Sequence, residues 1–226
     1  MLLIFLLVGC WPFAEPIEAA APQSRIQDLA GQWDFETDPE DCGIDEKWFA
    51  KKLRESISLP GITDEAGIGS PEPDPNPGHL WRPHKYVGAA WYQRIIDVPQ
   101  HWHGKRLELH LERVLWESRV WVDDQFCDAQ DSLGTPHIHQ LGRLTPGQHR
   151  LTVRIDNRMI HPIGDRGHCY TEFTQIKWNG AVGQLQLRAF DDVKLGLVRV
   201  FPDHVDQKVT VETTVLNNSD KKAGGR

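Results

Sequence analysis

The stretch LELHLE, residues 107–112, alternates strictly between apolar and polar side chains. Leucine occupies positions 107, 109 and 111, and Glu or His occupies the positions between them. A period of two puts these two sets of side chains on opposite faces of a β-strand, so one face is expected to be buried. The same period recurs over 151–155 and 185–189. Repeated strands with one apolar face are typical of a β-sandwich.

Turn-forming residues separate the predicted strands. They occur at 99–104, at Asp123-Asp124 and at Thr145-Pro146-Gly147. Only 44–53 has the apolar spacing of a helix, and that helix is expected to be short. Because no long helix lies between the strands, neighbouring strands are predicted to pair in an antiparallel manner.

A second run of strands begins after residue 192. The alternating pattern restarts at Val193, which predicts a domain boundary near Asp192. About two strands follow, too few for an antiparallel unit to bury a face. We therefore expect one β domain over residues 23–191 and the start of another over 192–226, in a chain that represents part of a longer protein.

The overall charge argues against nucleic acid as a partner. The chain has 226 residues, a formal net charge of −7 and no block of Lys or Arg. Binding to a phosphate backbone requires a basic surface, which this composition does not supply. A hydrophobic content of 39% is ordinary for a globular protein, so the chain can build a core.

The first ten residues predict export. They are almost all apolar and end in Leu7-Val8-Gly9-Cys10, which resembles the lipobox of bacterial lipoprotein signal peptides. Residues 1–22 are accordingly interpreted as a signal segment and linker, with Cys10 as the lipidated residue. Two alternatives stay open: an ordinary export signal cleaved before Gln23, and an apolar start that arose by chance. The expected location is periplasmic, extracellular or anchored by lipid to a membrane surface.

Nine tryptophans give the chain either core residues or flat apolar faces for sugar rings. Those within strand-like runs are predicted to be buried: Trp33, Trp91 and Trp121. Those near turns are better candidates for a binding surface: Trp81, Trp102, Trp116 and Trp178.

No cofactor or metal is expected. His137 and His139 would face the same side of a strand, but no third ligand lies at a useful spacing. The acidic stretches 38–41 and 123–128 lack the fixed ligand positions of a calcium loop and are predicted to be solvated turns. Three cysteines remain besides Cys10, which leaves room for one optional disulfide among Cys42, Cys127 and Cys169.

Several short motifs follow one another along the chain. They are Gly31-x-Trp33-x-Phe35, Leu59-Pro60-Gly61, Gly88-Ala89-Ala90-Trp91-Tyr92-Gln93-Arg94, Val120-Trp121-Val122-Asp123, Thr135-Pro136-His137, Leu151-Thr152-Val153-Arg154-Ile155-Asp156-Asn157 and Trp178-Asn179-Gly180-x-x-Gly183. In this order they resemble the N-terminal sugar-binding domain of glycoside hydrolase family 2, over about residues 26–190. Residues 193–216 are similar to the opening strands of that family's immunoglobulin-like second domain. The resemblance implies an all-β fold: an antiparallel, galactose-binding-like jelly-roll β-sandwich followed by the first strands of an immunoglobulin-like sandwich.

The resemblance also implies where the chemistry lies. Enzymes of this family use a retaining mechanism on a following (β/α)₈ barrel, with one Glu as acid/base and another as nucleophile. The family's acid/base follows an Asn, and no Asn-Glu dipeptide occurs in this sequence. We therefore assign no catalytic residue here and expect the catalytic barrel to be missing from this chain.

The same resemblance indicates a substrate-binding loop just before the last strand of the domain. It corresponds to residues 174–179, in which Gln175, Trp178 and Asn179 are the predicted carbohydrate contacts. Amide groups suit sugar hydroxyls, and an indole face suits the C–H surface of the ring. In the alternative interpretation Asn179-Gly180 forms a tight turn with Trp178 packed beneath it. Asp131, with Ser132, is a second and weaker candidate.

Three functions are compatible with these residues. The favoured one is the sugar-binding part of an exported family 2 β-glycosidase, a hydrolase of O-glycosidic bonds. The alternatives are a stand-alone, non-catalytic carbohydrate-binding module and a purely structural domain. The sequence leaves the sugar open, because the family distinguishes galactosides, glucuronides, mannosides and glucosaminides mainly through barrel residues.

Overall fold

The computed structural model describes residues 24–72, 81–162, 164, 177–222 and 224. Within these residues the regular structure is β-strand, apart from two short 3-10 helices, Trp48–Ala50 and Gln100–Trp102. The strands are β1 (Ile26–Asp28), β2 (Gly31–Asp38), β3 (Glu55–Leu59), β4 (Gly61–Ile62), β5 (Ser70–Pro71), β6 (His84–Lys85), β7 (Ala89–Val98), β8 (Arg106–Val114), β9 (Glu117–Val122), β10 (Gln125–Gln130), β11 (His137–Gly142), β12 (Gly147–Asp156), β13 (Gly180–Phe190), β14 (Val193–Asp203) and β15 (Lys208–Asn217).

Two sheets form a sandwich. The five-stranded sheet has the order β1-β13-β8-β11, with β4 also paired to β13. The six-stranded sheet has the order β10-β9-β12-β7-β2-β3. The pairs in both sheets are antiparallel. This architecture confirms the predicted all-β sandwich.

The core lies between the sheets and follows the alternation seen in the sequence. Leu107, Leu109 and Leu111 of β8 are buried there, opposite apolar side chains of β7 and β12. Trp33 joins this core. A second, smaller cluster lies on the outer face of the six-stranded sheet and contains Leu53, Trp91 and Trp121. The three tryptophans predicted to be buried are therefore confirmed as buried.

Two predictions about this part of the chain are wrong. The helix expected over 44–53 is reduced to the 3-10 turn Trp48–Ala50, because Lys47 has a left-handed φ of 57° and Lys51 is extended. Trp102 and Trp116 are buried rather than exposed on a surface. The indole N–H of Trp102 donates to the carbonyl of Ser24 at 3.0 Å.

The longer connections of the sandwich meet at one end, which we call the loop end. The register shows this: Asp38 at the end of β2 pairs with Ala89 at the start of β7, and Val114 at the end of β8 pairs with Ala181. The described parts of the connections at the loop end are 39–54, 63–72, 81–88, 115–116, 131–136, 157–162, 164 and 177–179. Each predicted sugar contact that the structure describes belongs to this end.

Strands β14 and β15 form a hairpin beyond the sandwich. Strand β13 ends at Phe190 and β14 begins at Val193; the division into domains near Asp192 stays a prediction. The hairpin is tied to the sandwich by an ion pair between Arg106 and Asp192, with Nε and Oδ1 3.0 Å apart. Its apolar side chains are largely exposed. No helix in the described part of the chain is both long and apolar enough to cross a membrane.

Candidate functional site

Asn179 lies at the loop end, but its side chain points into the protein. The hydroxyl of Tyr92 donates to Asn179 Oδ1 at 2.7 Å. Asn179 Nδ2 donates to the carbonyls of Gly88 at 2.9 Å and Ile155 at 3.1 Å. These bonds use the amide's acceptor and both of its N–H donors inside the fold. We assign Asn179 to holding its segment in place rather than to contacting a sugar directly.

The residue after Asn179 makes this placement tight. Gly180 has a φ of 142°, and a Cβ at this position would lie 2.2 Å from the carbonyl oxygen of Gly61. The first residue of β13 can therefore approach β4 this closely only if it is glycine. The backbone N–H of Thr63, just after β4, donates to the carbonyl of Asn179 at 2.9 Å. This hydrogen bond also holds the start of β13 against β4.

Arg82 fixes the start of the segment. Its guanidinium is buried and forms an ion pair with the buried Asp64, with Nη2 and Oδ1 2.8 Å apart. It also donates to the backbone carbonyls of His84, Tyr86 and Lys177. A buried charge is stable only when its donors are satisfied, and these partners satisfy them. Arg82 consequently ties the backbone at 177 to the neighbouring loop.

Trp178 is held between these two anchors. Its indole is partly exposed, while the residues on both sides of it are bonded to the fold through Lys177 and Asn179. A partly exposed aromatic side chain on an anchored backbone can stack on a sugar ring. The tight turn of the alternative interpretation is absent, since Gly180 continues directly into β13.

Asp131 has a partner that sequence reasoning missed. His161 Nε2 lies 3.0 Å from Asp131 Oδ2, and both side chains are about half exposed. The imidazole is stacked on the buried indole of Trp116, with ring centroids 6.2 Å apart and planes 20° apart. His161 therefore orients a carboxylate at the surface of the loop end. Its partner is 30 residues away in the sequence, so no local pattern indicates the pair.

Ser132 is linked to a buried polar network. Its carbonyl lies 2.8 Å from His137 Nε2. His137 Nδ1 and His139 Nε2 lie 2.6 Å and 2.8 Å from the hydroxyl oxygen of Ser118. Burial lowers the pKa of both histidines, that of His139 to about 4 in spite of the nearby Asp128. The two imidazoles face the same side of β11, as predicted, and bind a hydroxyl there.

The described residues contain no group of three or more potential metal-ligating side chains.

Asp38 was predicted to lie in a solvated turn, and this is wrong. Its carboxylate is buried and accepts the N–H groups of Cys42 and Gly43 and the indole N–H of Trp91, each at 2.9 Å. Cys42 and Cys127 are free thiols.

A network of charges surrounds the end of β12. Buried Arg154 contacts Asp41 at 2.5 Å, Asp156 at 2.9 Å and Glu117 at 3.2 Å. Burial by itself would raise the pKa of the Asp156 carboxyl, but hydrogen bonds from Arg158 and the charge of Arg154 hold it below its usual value. The carboxylates of Asp41 and Asp156, whose pKa values are lowered by the two arginines, contribute to stability rather than to acid/base chemistry.

Three of the residues named from the sequence lie outside the described residues: Gln175, the disulfide candidate Cys169 and the lipidation candidate Cys10. Trp178, Asp131 and His161 lie in three different connections of the loop end, and each is at least partly exposed. An indole can stack on a ring, and a carboxylate or an imidazole can accept or donate hydrogen bonds. Arg82 and His161 were both missed, because each acts through residues distant in the sequence.

Comparison with known proteins identifies what this architecture is similar to. Residues 26–161 match the family model described as glycosyl hydrolases family 2, sugar binding domain. The chain is 28% identical over 141 residues to a β-glucuronidase of Paenibacillus borealis, covering 59% of this chain and 21% of that protein. It is 26% identical over 151 residues to the human β-glucuronidase, covering 62% of this chain and 22% of the relative.

A solved structure has the same fold. The β-glucuronidase of Ruminococcus gnavus in complex with uronic isofagomine superposes with a TM-score of 0.68 at 16% identity, over 86% of this chain and 33% of that one. At this identity the likeness concerns the fold alone. The chain spans about a fifth of the length of the curated relatives it matches.

Proposed function

Since this chain belongs to glycoside hydrolase family 2, whose sugar-binding domain it carries, we propose that its loop end binds a carbohydrate. The observation that supports this most directly is the placement of Trp178. Its partly exposed indole sits on a segment that is held on one side by Arg82 and on the other by the buried amide of Asn179.

The exposed groups of the loop end suit a sugar. A pyranose ring offers an apolar C–H face for the indole of Trp178 and hydroxyl groups for polar side chains. The carboxylate of Asp131 can accept two of these hydroxyl protons, while His161 holds it in position. A ligand that uses both groups at once would be selected for the orientation of its hydroxyls.

For the whole protein we propose an exported β-glycosidase in which this chain has a non-catalytic role. The sequence relatives include β-glucuronidases and a β-galactosidase of Thermoanaerobacter pseudethanolicus. Hydrolysis would be performed by a carboxylate pair on a barrel outside this chain, and the sugar-binding domain would help to hold the substrate. Export and a lipid anchor at Cys10 form part of the same proposal.

The carbohydrate site can be tested by titrating the purified chain with methyl β-glycosides of glucuronic acid, galactose, mannose and N-acetylglucosamine. Ligand-observed NMR or calorimetry measures the affinity. Trp178→Ala should weaken binding of the preferred glycoside about tenfold, the effect of losing one aromatic contact and its buried area.

A matched control is Phe126→Ala, since Phe126 is an exposed aromatic on the hairpin at the other end of the sandwich. This variant should bind as the unmodified chain does. Equal affinities of Trp178→Ala and the unmodified chain for every glycoside would contradict the proposal.

A further inference from the structure

A cavity lies on the outer face of the six-stranded sheet. Its volume is about 260 Å³, and it is lined by the connection 46–54 and by Glu36 of β2. Six of its lining side chains are aromatic or charged: Trp48, Glu36, Glu46, Lys51, Lys52 and Arg54. These residues lie within the span that matches the family model, but the loop-end site does not use them.

One wall of the cavity is rigid and aromatic. The ring of Trp48 packs against the buried Trp91, with centroids 6.2 Å apart and planes inclined by 51°. Leu53, which also lines the cavity, is buried. The backbone between them is pinned to the sheet, because Gln93 Nε2 donates to the carbonyl of Lys51 at 3.1 Å. The partly exposed indole of Trp48 is thus in place before any ligand arrives.

The charges in the cavity do not balance. Glu46 accepts the indole N–H of Trp48 at 3.0 Å and lies 3.8 Å from Lys51 Nζ. Glu36, which is nearly buried, is paired with Arg54. Lys52 makes no ion pair with any residue that the structure describes. Three cations against two carboxylates leave one positive charge in the cavity, on an ammonium group with free donors.

We propose that this cavity is a second carbohydrate-binding site, which takes a sugar ring bearing a single carboxylate. The ring would stack on Trp48, and its carboxylate would be bound by the ammonium group of Lys52. An aromatic wall next to one uncompensated cation matches both parts of such a ligand. A small inorganic anion would use the cation but leave the indole without a partner.

The cavity shares no residue with the proposed Trp178 site, although the connection 39–54 leaves its sheet at the loop end. Trp91, beneath Trp48, points to the outer face of its sheet, whereas the next residue, Tyr92, points inward and bonds to Asn179. The proposed site therefore does not depend on Trp178, and it can be tested in a chain that lacks this indole.

The test uses the full chain carrying Trp178→Ala, titrated with methyl β-D-glucuronide and with the neutral methyl β-D-glucoside. Binding is followed by the amide resonances of residues 46–54 in ¹⁵N–¹H spectra. The glucuronide should shift these resonances and bind at least about tenfold more tightly than the glucoside, the effect of one hydrogen bond to a charged group. Lys52→Glu should weaken glucuronide binding by at least the same factor.

Lys47→Glu is the matched control, because Lys47 is exposed, carries the same charge and does not line the cavity. It should leave the affinity unchanged. Trp48→Phe, which retains an aromatic ring, should bind more tightly than Trp48→Ala; circular dichroism checks that both are folded. Equal affinities for the two glycosides, unchanged affinity in Lys52→Glu, or inorganic phosphate competing as well as the glucuronide itself would each overturn the proposal.

Discussion

Replacing Asn179 by alanine removes three buried hydrogen bonds at once. The hydroxyl of Tyr92 loses its acceptor in a fully buried position, which costs about 1–3 kcal/mol. Each of the two bonds to backbone carbonyls contributes about 1 kcal/mol more. We therefore expect Asn179→Ala to lower the free energy of unfolding by about 3–5 kcal/mol. This is a large part of the total free energy of unfolding of a typical domain, which is roughly 5–15 kcal/mol.

Urea unfolding followed by tryptophan fluorescence measures this change. With a slope of about 2 kcal/mol per molar urea, the midpoint should fall by about 2 M. Tyr92→Phe removes only the hydroxyl bond and should cost about 1–3 kcal/mol. The exposed Asn218 offers a matched control, and Asn218→Ala should change stability by less than about 0.5 kcal/mol.

The double variant Tyr92→Phe, Asn179→Ala completes the cycle. Its cost should be smaller than the sum of the two single costs, because both remove the same bond. The reasoning is refuted if Asn179→Ala costs less than about 1 kcal/mol yet abolishes glycoside binding, since the amide would then act on the ligand and not on the fold.

Three further outcomes are expected. Burial lowers the pKa of His139 to about 4, so this imidazole binds a proton near pH 6.5 in the unfolded chain but stays neutral there in the folded chain. The free energy of unfolding should therefore be highest above about pH 6.5 and fall by about 3 kcal/mol as the pH drops towards about 4. Urea titrations at several pH values measure this loss, which should be smaller in His139→Gln. Arg82→Met removes one partner of a buried ion pair and the anchor of Lys177, so it should cost about 3–5 kcal/mol and weaken glycoside binding as well; unchanged urea midpoints would contradict this role. Cys10→Ala should move the protein from the membrane fraction to the soluble fraction of the exporting cell. A mass spectrum that shows an unmodified Cys10 would contradict lipidation and favour secretion without a lipid anchor.

The strands could be predicted because their signal is local. In 107–112 each side chain's face is set by the pleat of its own strand, and burial of one face selects apolar residues at every second position. The same rule placed His137 and His139 on one side of β11. This rule could not predict which group the two imidazoles would face. That group is the hydroxyl of Ser118, which comes from β9 in the other sheet.

The loops were less predictable because their burial depends on what covers them. Trp102 and Trp116 stand next to turns, which suggested exposure, yet both are buried. The expected helix over 44–53 had a suitable apolar face, but the sheet beneath it binds an extended backbone at Lys51. Tertiary packing overrode a weak local preference in each case.

The sequence by itself determined the sandwich, its family and the segment that carries Trp178, because periodicity and ordered motifs are properties of the chain. Only the tertiary structure decided what each side chain at that segment does. Arg82 and Lys177 are 95 residues apart, and Tyr92 and Asn179 are 87 apart. Side chains this distant meet only when the two sheets pack, so the inward direction of Asn179 and the partial exposure of Trp178 follow from packing and not from local pattern.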